Sequence, residues 1–208
     1  MKYRLAIFDL DGTLADSFPW FMSVVNSVAD RHGFRRLEPA QADAVRTLSS
    51  REIVKWFGVP AWKIPFIAND MRKMKASCDA PLFPGVAAML ARLSGSGITL
   101  ALVTSDSEAN ARRALGASGR HIAYFDCGAS IFGKAKKFAR VMREAGVPRA
   151  ATIAIGDEVR DIEAARQAGI DFGAVGWGYA RREAMQKLSP AMVFGSVEEI
   201  GERLVGPS

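Results

Sequence analysis

Short apolar runs recur along the chain and alternate with amphipathic segments. Leu5–Phe8 is the first run, and similar runs occupy residues 98–103 and 151–155. Uninterrupted apolar runs of this length are typical of strands in a parallel sheet that is covered on both faces. Weaker patterns predict further strands at residues 123–127, 172–175 and 191–194.

Segments with apolar residues at helical spacing separate these strands. They cover residues 85–94, 108–115, 134–145 and 158–168. Strands that alternate with helices predict a parallel sheet with right-handed crossovers. The fold class is therefore predicted as α/β, with a Rossmann-like core of three layers around a central parallel sheet.

Residues 17–80 differ from the rest, because their apolar positions follow helical spacing and no strand pattern is convincing. Three of the four tryptophans of the chain fall here, namely Trp20, Trp56 and Trp62. We interpret this block as a small all-helical insertion with its own aromatic core. The predicted organisation is a core of residues 1–16 and 81–208, with the insertion placed after the first strand.

Composition and charge narrow the class of protein. Hydrophobic residues make up 49% of the 208 residues, and no apolar run is long enough to cross a membrane. The formal charge is +6, but the basic residues are dispersed, so we expect no specific nucleic-acid partner and no membrane partner. With two cysteines, no CxxC spacing and no signal-peptide pattern, we expect a cytoplasmic protein. The pattern carries no prediction of oligomeric state.

Polar clusters follow the three strongest strands. Asp9 and Asp11 follow the first, Thr104 and Ser105 the second, and Asp157 the third. The carboxyl ends of parallel strands lie at one edge of the sheet, where open α/β sheets bind ligands. We therefore expect these side chains to converge, although they are far apart in sequence. Taken alone, Asp9 and Asp11 fit an acidic turn equally well.

A fourth carboxylate belongs to the same group. Asp161 follows Asp157 by four residues, so both lie on one face at the start of a helix. The helix dipole by itself favours acids in a first turn. Together with Asp9 and Asp11, however, they collect four carboxylates, whose mutual repulsion calls for a hard cation such as Mg²⁺.

Cationic and hydroxyl groups complete the set. Lys134 begins a helix and is predicted to lie on its inward side, whereas Lys136 and Lys137 are predicted to be solvated. Thr104 and Ser105 offer hydroxyl and N–H groups near a helix start, where they bind phosphate, cap the helix or do both. An aspartate nucleophile, a second carboxylate, Mg²⁺, a hydroxyl and a lysine together make a phosphoryl-transfer site.

The order of these residues resembles that of a haloacid dehalogenase superfamily phosphatase. The motif DxDGT stands at residues 9–13, the strand-ending threonine is Thr104, the lysine is Lys134, and GDxxxD stands at residues 156–161. The resemblance covers nearly the whole chain and points to the phosphoglycolate phosphatase-like branch. Residues 17–80 match the position of that family's helical C1 cap, which opens and closes over the site.

The resemblance implies a Mg²⁺-dependent phosphatase that hydrolyses a small phosphomonoester through an aspartyl-phosphate. The implied catalytic residues are Asp9 as nucleophile, Asp11 as acid and base, Thr104 and Lys134. The implied metal ligands are Asp9, Asp11 through its backbone carbonyl, Asp157 and Asp161, of which Asp161 either binds metal-bound water or orients Lys134. The implied phosphate-binding residues are Gly12, Thr104, Ser105 and Lys134.

Two departures weaken phosphoglycolate as the assigned substrate. No proline follows Lys134, and Asp106 stands where asparagine or glycine is common. Asp106 either adds negative charge near a phosphate or turns away to cap the next helix. A phosphomutase on the same scaffold and a catalytically silent binding protein are the alternatives. The complete set of Asp9, Asp11 and Asp157 argues against the silent protein.

Overall fold

A single six-stranded sheet forms the centre of the structure. The computed structural model describes residues 2–48, 50–77, 80–128 and 133–206. All strand pairs in the sheet are parallel, in the order β3-β2-β1-β4-β5-β6. The strands are β1 (Leu5–Phe8), β2 (Thr99–Val103), β3 (Tyr124–Asp126), β4 (Thr152–Gly156), β5 (Asp171–Val175) and β6 (Met192–Phe194). The predicted α/β class is confirmed.

The first strand lies at the middle of this sheet. β1 pairs with β2 on one side and with β4 on the other, so that Phe8 lies opposite both Leu102 and Ile155. Leu5 and Ile7 pack into the apolar cluster on one face, and Phe8 packs into the cluster on the other. Both faces are buried, which explains why the strand has no polar alternation.

Helices cover both faces of the sheet and complete three layers. The helices outside the insertion are α5 (Val86–Gly95), α6 (Glu108–Leu115), α7 (Lys134–Ala145), α8 (Val159–Ala168), α9 (Arg182–Gln186) and α10 (Val197–Val205). Short 3₁₀ segments occupy Gly116–His121 and Arg149–Ala151. Residues of α5, α6 and α10 pack on one face, and residues of α7, α8 and α9 pack on the other. None of the helices within the described ranges is long and apolar enough to cross a bilayer.

Between β1 and α5, the described residues form helices and no strand of the sheet. They are α1 (Phe18–His32), α2 (Ala42–Val45), α3 (Ser50–Trp56) and α4 (Ile64–Lys75), with 3₁₀ segments at Pro39–Gln41 and Ala61–Lys63. A small core of Val25, Leu37, Val45 and Phe57 holds this part together. Trp56 packs against Phe57 with its ring centroid 5.0 Å away.

The aromatic core predicted for this region is wrong for one of its three tryptophans. Trp62 lies in the 3₁₀ segment Ala61–Lys63 and is 67% exposed, and it is not among the residues of the small apolar core. Trp20 is half-buried and lies against the site described below.

The segment that enters the helical region and the segment that leaves it lie side by side. The backbone N–H of Asp16 donates to the carbonyl of Pro81 at 2.8 Å, and Phe83 donates to Leu14 at 2.9 Å. These paired segments coincide with the predicted boundaries at residues 16 and 81. The division of the chain into a core and a cap remains a prediction.

Close packing between the last two strands gives a test of the fold. A methyl group on Gly173 of β5 would lie 2.5 Å from a ring carbon of Phe194 in β6. We expect Gly173→Ala to lower the free energy of unfolding by about 1–3 kcal/mol, because overpacking displaces the ring or the strand.

Gly95→Ala at the end of α5 is the matched control, because nothing lies within 4 Å of its added methyl group. Alanine is intrinsically favoured over glycine in helices by up to about 1 kcal/mol, so this variant should be neutral or stabilised. Urea midpoints report both changes. Equal midpoints for the two variants would contradict the packing described here.

Candidate active site

The carboxyl edge of the sheet carries the acidic residues at its centre. Asp9 directly follows β1, and Asp157 directly follows β4. These strands are neighbours, and the N–H of Asp9 donates to the carbonyl of Ile155 at 2.9 Å. The strand order reverses direction at β1 and β4, which is the place where open α/β sheets form a ligand crevice.

Three carboxylates converge at this edge. Asp9, Asp157 and Asp161 are all buried, and one oxygen from each lies within 4.8 Å of the others. Asp161 belongs to the first turn of α8, where its carboxylate accepts a hydrogen bond from the N–H of Glu158 at 3.3 Å. The predicted convergence of residues from distant parts of the chain is therefore present for these three.

Asp157 is held from several sides. Its carboxylate accepts hydrogen bonds from the Thr13 hydroxyl at 2.8 Å and from the N–H of Tyr179 at 2.7 Å. Gly12 and Gly178 pack so closely on it that a methyl group at either position would approach an Asp157 atom to 2.2 Å. Gly12 also has a φ of 74°, which glycine adopts without strain, and its N–H donates to the carbonyl of Ala15 at 2.9 Å. The role of Gly12 toward phosphate remains a prediction.

The crowded carboxylates have perturbed protonation equilibria. Burial raises the pKa of Asp157 well above its usual range, and the charges of Glu158 and Asp9 raise it further. Burial also raises the pKa of Asp161 to about 6, although Lys134 opposes that shift. Burying several like charges is unfavourable unless a cation compensates them, so this edge favours binding of positive charge.

Lys134 supplies part of that charge. It is the first residue of α7, and its Nζ lies 2.5 Å from Asp161 and 2.9 Å from Asp9. Burial lowers the pKa of Lys134, but Asp161 and Asp9 outweigh this and hold it above its ordinary value of 10.5. Lys134 therefore lies on the inward side of its helix, as predicted.

The donor set fits a divalent cation. Three carboxylates offer hard oxygen ligands, and the buried Oδ2 of Asp9 accepts no hydrogen bond among the described residues, although it forms an ion pair with Lys134 at 2.9 Å. Lys134 neutralises one of the three negative charges. A small cation with oxygen preference would compensate the remainder.

The carboxylate of Asp11 does not belong to the cluster that the other three form. It forms an ion pair with Lys75 at the end of α4, and Lys75 also lies 2.9 Å from Asp106. Burial raises the pKa of Asp11, and Lys75 opposes that shift. The four predicted acids thus divide into a cluster of three and a separate Asp11–Lys75 pair, because Asp11 lies on the turn toward the helical region. The backbone contribution of Asp11 to a metal remains a prediction.

Sequence reasoning missed Lys75. A basic residue in the last turn of a helix is ordinarily explained by the helix dipole and solvent exposure. Here the last turn of α4 points at the sheet edge, and the Lys75 side chain is only 9% exposed. No local signal distinguishes this lysine, since its partners lie 64 and 31 positions away in the chain.

The prediction that Lys137 is solvated is wrong, because the residue is buried. Its Nζ donates to the carbonyls of Thr104 at 3.0 Å, Asp126 at 3.1 Å and Gly128 at 2.9 Å. These bonds tie α7 to the ends of β2 and β3. The three-residue spacing from Lys134 places both lysines on one helix face and could have indicated this position, whereas Lys136 is exposed as predicted.

The loop after β2 positions Thr104 and Asp106. Thr104 is buried, and its hydroxyl accepts a hydrogen bond from the N–H of Asp106 at 3.1 Å. Asp106 accepts hydrogen bonds from the Ser107 N–H and the Asn110 amide, each at 2.7 Å. Asp106 therefore turns toward the start of α6 and Lys75, while the hydroxyl of Ser107 caps the helix. Ser105 lines the adjacent cavity.

A cavity of about 510 Å³ separates the helical region from this edge. Phe18 and Trp20 line it and do not form part of the small core of the helical region. Arg46 lines it as well and donates hydrogen bonds to the carbonyls of Tyr179 at 2.9 Å and Gly178 at 2.6 Å. Charged and hydroxyl groups of both the helical region and the sheet edge also line the cavity, whose surface is mostly apolar. A concave, mostly apolar site with polar groups is typical of small-molecule binding.

Comparisons with known proteins agree with this arrangement. The sequence model of the haloacid dehalogenase-like hydrolase family matches residues 6–175. A phosphoglycolate phosphatase of Synechococcus elongatus is 32% identical over 188 residues, which are 88% of this chain and 89% of the relative. The tyrosine-protein kinase PtkA of Mycobacterium tuberculosis is 29% identical over 97% of this chain and 72% of that protein.

A solved structure of a predicted phosphatase from Clostridium acetobutylicum superimposes with a TM-score of 0.83, at 16% identity and over 100% of both chains. That likeness establishes the same fold. With a family match over most of its length and a phosphatase relative similar across nearly all of both sequences, the chain belongs to the haloacid dehalogenase-like hydrolases and is a phosphatase.

Proposed function

We propose that this phosphatase is Mg²⁺-dependent and hydrolyses small phosphomonoesters in two steps through an aspartyl-phosphate on Asp9. The observation that carries the proposal is the buried Asp9 carboxylate, which lies between Lys134 and two further carboxylates at the carboxyl edge of the sheet. Its Oδ2 accepts no hydrogen bond within the described part of the chain, and the Lys134 ammonium lies 2.9 Å from it. A carboxylate held beside a positive charge that also attracts phosphoryl oxygens can serve as a nucleophile.

In the first step, an Asp9 oxygen forms a bond to phosphorus while the ester bond to the leaving oxygen breaks. Asp11 donates a proton to that leaving oxygen. In the second step, Asp11 takes a proton from water, and the water oxygen displaces the Asp9 oxygen from phosphorus. Burial raises the pKa of Asp11 and the charge of Lys75 opposes that shift, so the Lys75 ion pair would have to give way for Asp11 to carry the proton that the first step requires.

The remaining residues bind and orient. Asp9, Asp157, Asp161 and the backbone carbonyl of Asp11 would hold the metal ion. When bound, Mg²⁺ supplies positive charge to the phosphoryl oxygens. Lys134 would supply a second positive charge, and the groups of Gly12, Thr104 and Ser105 would hold the phosphate.

Two candidate reactions come from the names of the relatives. A relative named phosphoglycolate phosphatase makes phosphoglycolate the first substrate to test. A relative named tyrosine-protein kinase suggests a test for transfer of the phosphoryl group to an alcohol instead of water. Both reactions, and the mutase alternative, would share the first step on Asp9. We place the reaction in the cytoplasm.

Replacement of the nucleophile gives the most direct test. We expect Asp9→Asn to lower kcat for phosphate release by at least about 10³-fold, because the amide oxygen is a far weaker nucleophile than a carboxylate. Asp30→Asn is the control, since Asp30 is an exposed acid paired with Arg36. Release of free phosphate is measured, and circular dichroism verifies folding. Wild-type turnover by Asp9→Asn would refute the mechanism.

The metal requirement is tested by chelation. We expect EDTA to abolish phosphate release and added Mg²⁺ to restore it. Asp157→Asn should raise the Mg²⁺ concentration needed for half-maximal activity by at least about tenfold, because one carboxylate of the cluster is lost. Glu163→Gln, an exposed position on α8, is the matched control. Full activity in EDTA would exclude a metal-dependent reaction.

Two of the three lysines near the start of α7, Lys134 and Lys136, allow the effect of position at the site to be measured separately from the effect of charge. We expect Lys134→Met to lower kcat by about 10²–10³-fold, because positive charge beside the phosphoryl oxygens is lost. Lys136→Met removes the same charge from an exposed position and should leave kcat unchanged. Steady-state kinetics on one phosphomonoester measures both. Similar losses in the two variants would indicate a general charge effect rather than a role at the site.

A further inference from the structure

We infer that the leaving group of the substrate is a hydroxyl compound that carries an apolar ring. The preferred esters are therefore arylalkyl or aryl phosphates rather than phosphates of small hydroxy acids. This inference rests on the proposed phosphatase function. It concerns the part of the substrate that occupies the cavity between the helical region and the sheet edge.

Aromatic rings form one wall of that cavity. The rings of Phe18 and Tyr179 pack edge to face with their centroids 5.3 Å apart, and the centroids of the Phe21 and Tyr179 rings are 5.8 Å apart. Aliphatic and thioether side chains of the helical region, including Val54 and Met71, line other parts. Aromatic and aliphatic walls bind a ring by burying its apolar surface and by edge-to-face contacts.

The cations that line the cavity are largely engaged already. Arg46 donates to two backbone carbonyls and lies over the Phe18 ring at 4.8 Å. Lys75 pairs with Asp11 and Asp106, and Arg160 pairs with Glu158. A carboxylate on the leaving group would have to break one of these arrangements and leave a buried partner unpaired, which is unfavourable.

Two cationic side chains keep unpaired groups that the test must address. Arg160 has one buried nitrogen, Nε, without a hydrogen-bond partner among the described residues. Arg72 also lines the cavity, and the structure shows no ion pair for its side chain within the described ranges. If the substrate carries a second anionic group, Arg72 is the group that would bind it. An apolar leaving group makes no use of Arg72, so the two possibilities predict different results for the same variant.

The size of the cavity supports the same conclusion. A volume of about 510 Å³ is within the range of sites for drug-sized ligands. A two-carbon leaving group would leave most of the apolar wall in contact with water. A ring would displace that water, and binding energy far from the reacting bond can be used to raise the rate.

A series of alkyl phosphates tests the inference on the wild-type enzyme with Mg²⁺. Ethyl, benzyl and 2-phenylethyl phosphate and phosphoglycolate have alcohol leaving groups of similar acidity, so differences in kcat/KM report binding. We expect kcat/KM for benzyl phosphate to exceed that for ethyl phosphate by at least about tenfold, as burial of a phenyl ring predicts. Phosphoglycolate should lie below benzyl phosphate.

Two substitutions of alanine by phenylalanine test whether the preference for a ring arises in this cavity. Ala68 of α4 lines the cavity, so Ala68→Phe fills part of it and should lower the benzyl-to-ethyl ratio of kcat/KM by about tenfold. Ala61 is exposed in the preceding 3₁₀ segment, and Ala61→Phe should keep the wild-type ratio. Thermal unfolding of both variants verifies that the comparison is between folded proteins.

The outcomes separate the inference from the function on which it rests. Turnover of ethyl phosphate without a gain for benzyl phosphate would overturn the inference alone. Preference for phosphoglycolate, lost in Arg72→Met, would overturn it in favour of an anionic leaving group. An unchanged benzyl-to-ethyl ratio in Ala68→Phe would also overturn it. Absence of phosphate release from every ester would overturn the proposed function and the inference together.

Discussion

Repulsion among three buried carboxylates is the constraint on which the site depends. Asp9, Asp157 and Asp161 lie within 4.8 Å of one another because two central strands and one helix start hold them there. Such an arrangement costs free energy in a low-dielectric interior. The structure offsets part of that cost with Lys134 and with hydrogen bonds to Asp157 such as that from Thr13. The remaining negative charge suits the edge to a divalent cation, as proposed above.

The helical region meets this edge through polar contacts as well as through apolar packing. Lys75 brings a buried positive charge to Asp11 and Asp106, and Arg46 binds backbone carbonyls beside Asp157. These contacts span 31 to 133 positions in sequence and join the two parts of the structure at the site itself. Any separation of the helical region from the sheet edge would expose Asp11 to water and remove its cationic neighbour. Opening and the environment of Asp11 are therefore physically linked.

The residues proposed for catalysis and the apolar residues that line the cavity belong to different surfaces of the same crevice. The carboxyl edge of the sheet carries the charged residues, whereas the helical region contributes mostly apolar side chains to the cavity. In the proposed reaction the leaving group would contact the aromatic wall of the cavity, to which Phe18 of the helical region and Tyr179 of the segment after β5 contribute. A relative's substrate thus carries over to this chain less directly than its reaction does.

Apolar runs and strand-end residues predict the α/β class, the parallel sheet and the edge at which the acids gather, because they are local patterns with one consistent topology. The helical spacing around Lys134 likewise predicts its inward position. The pairing of Asp11 with Lys75, the burial of Lys137 near Thr104 and the exposure of Trp62 are visible only in the folded chain. Those outcomes depend on contacts between segments that are distant in sequence, and a lysine at a helix end looks the same locally whether it faces solvent or a buried carboxylate.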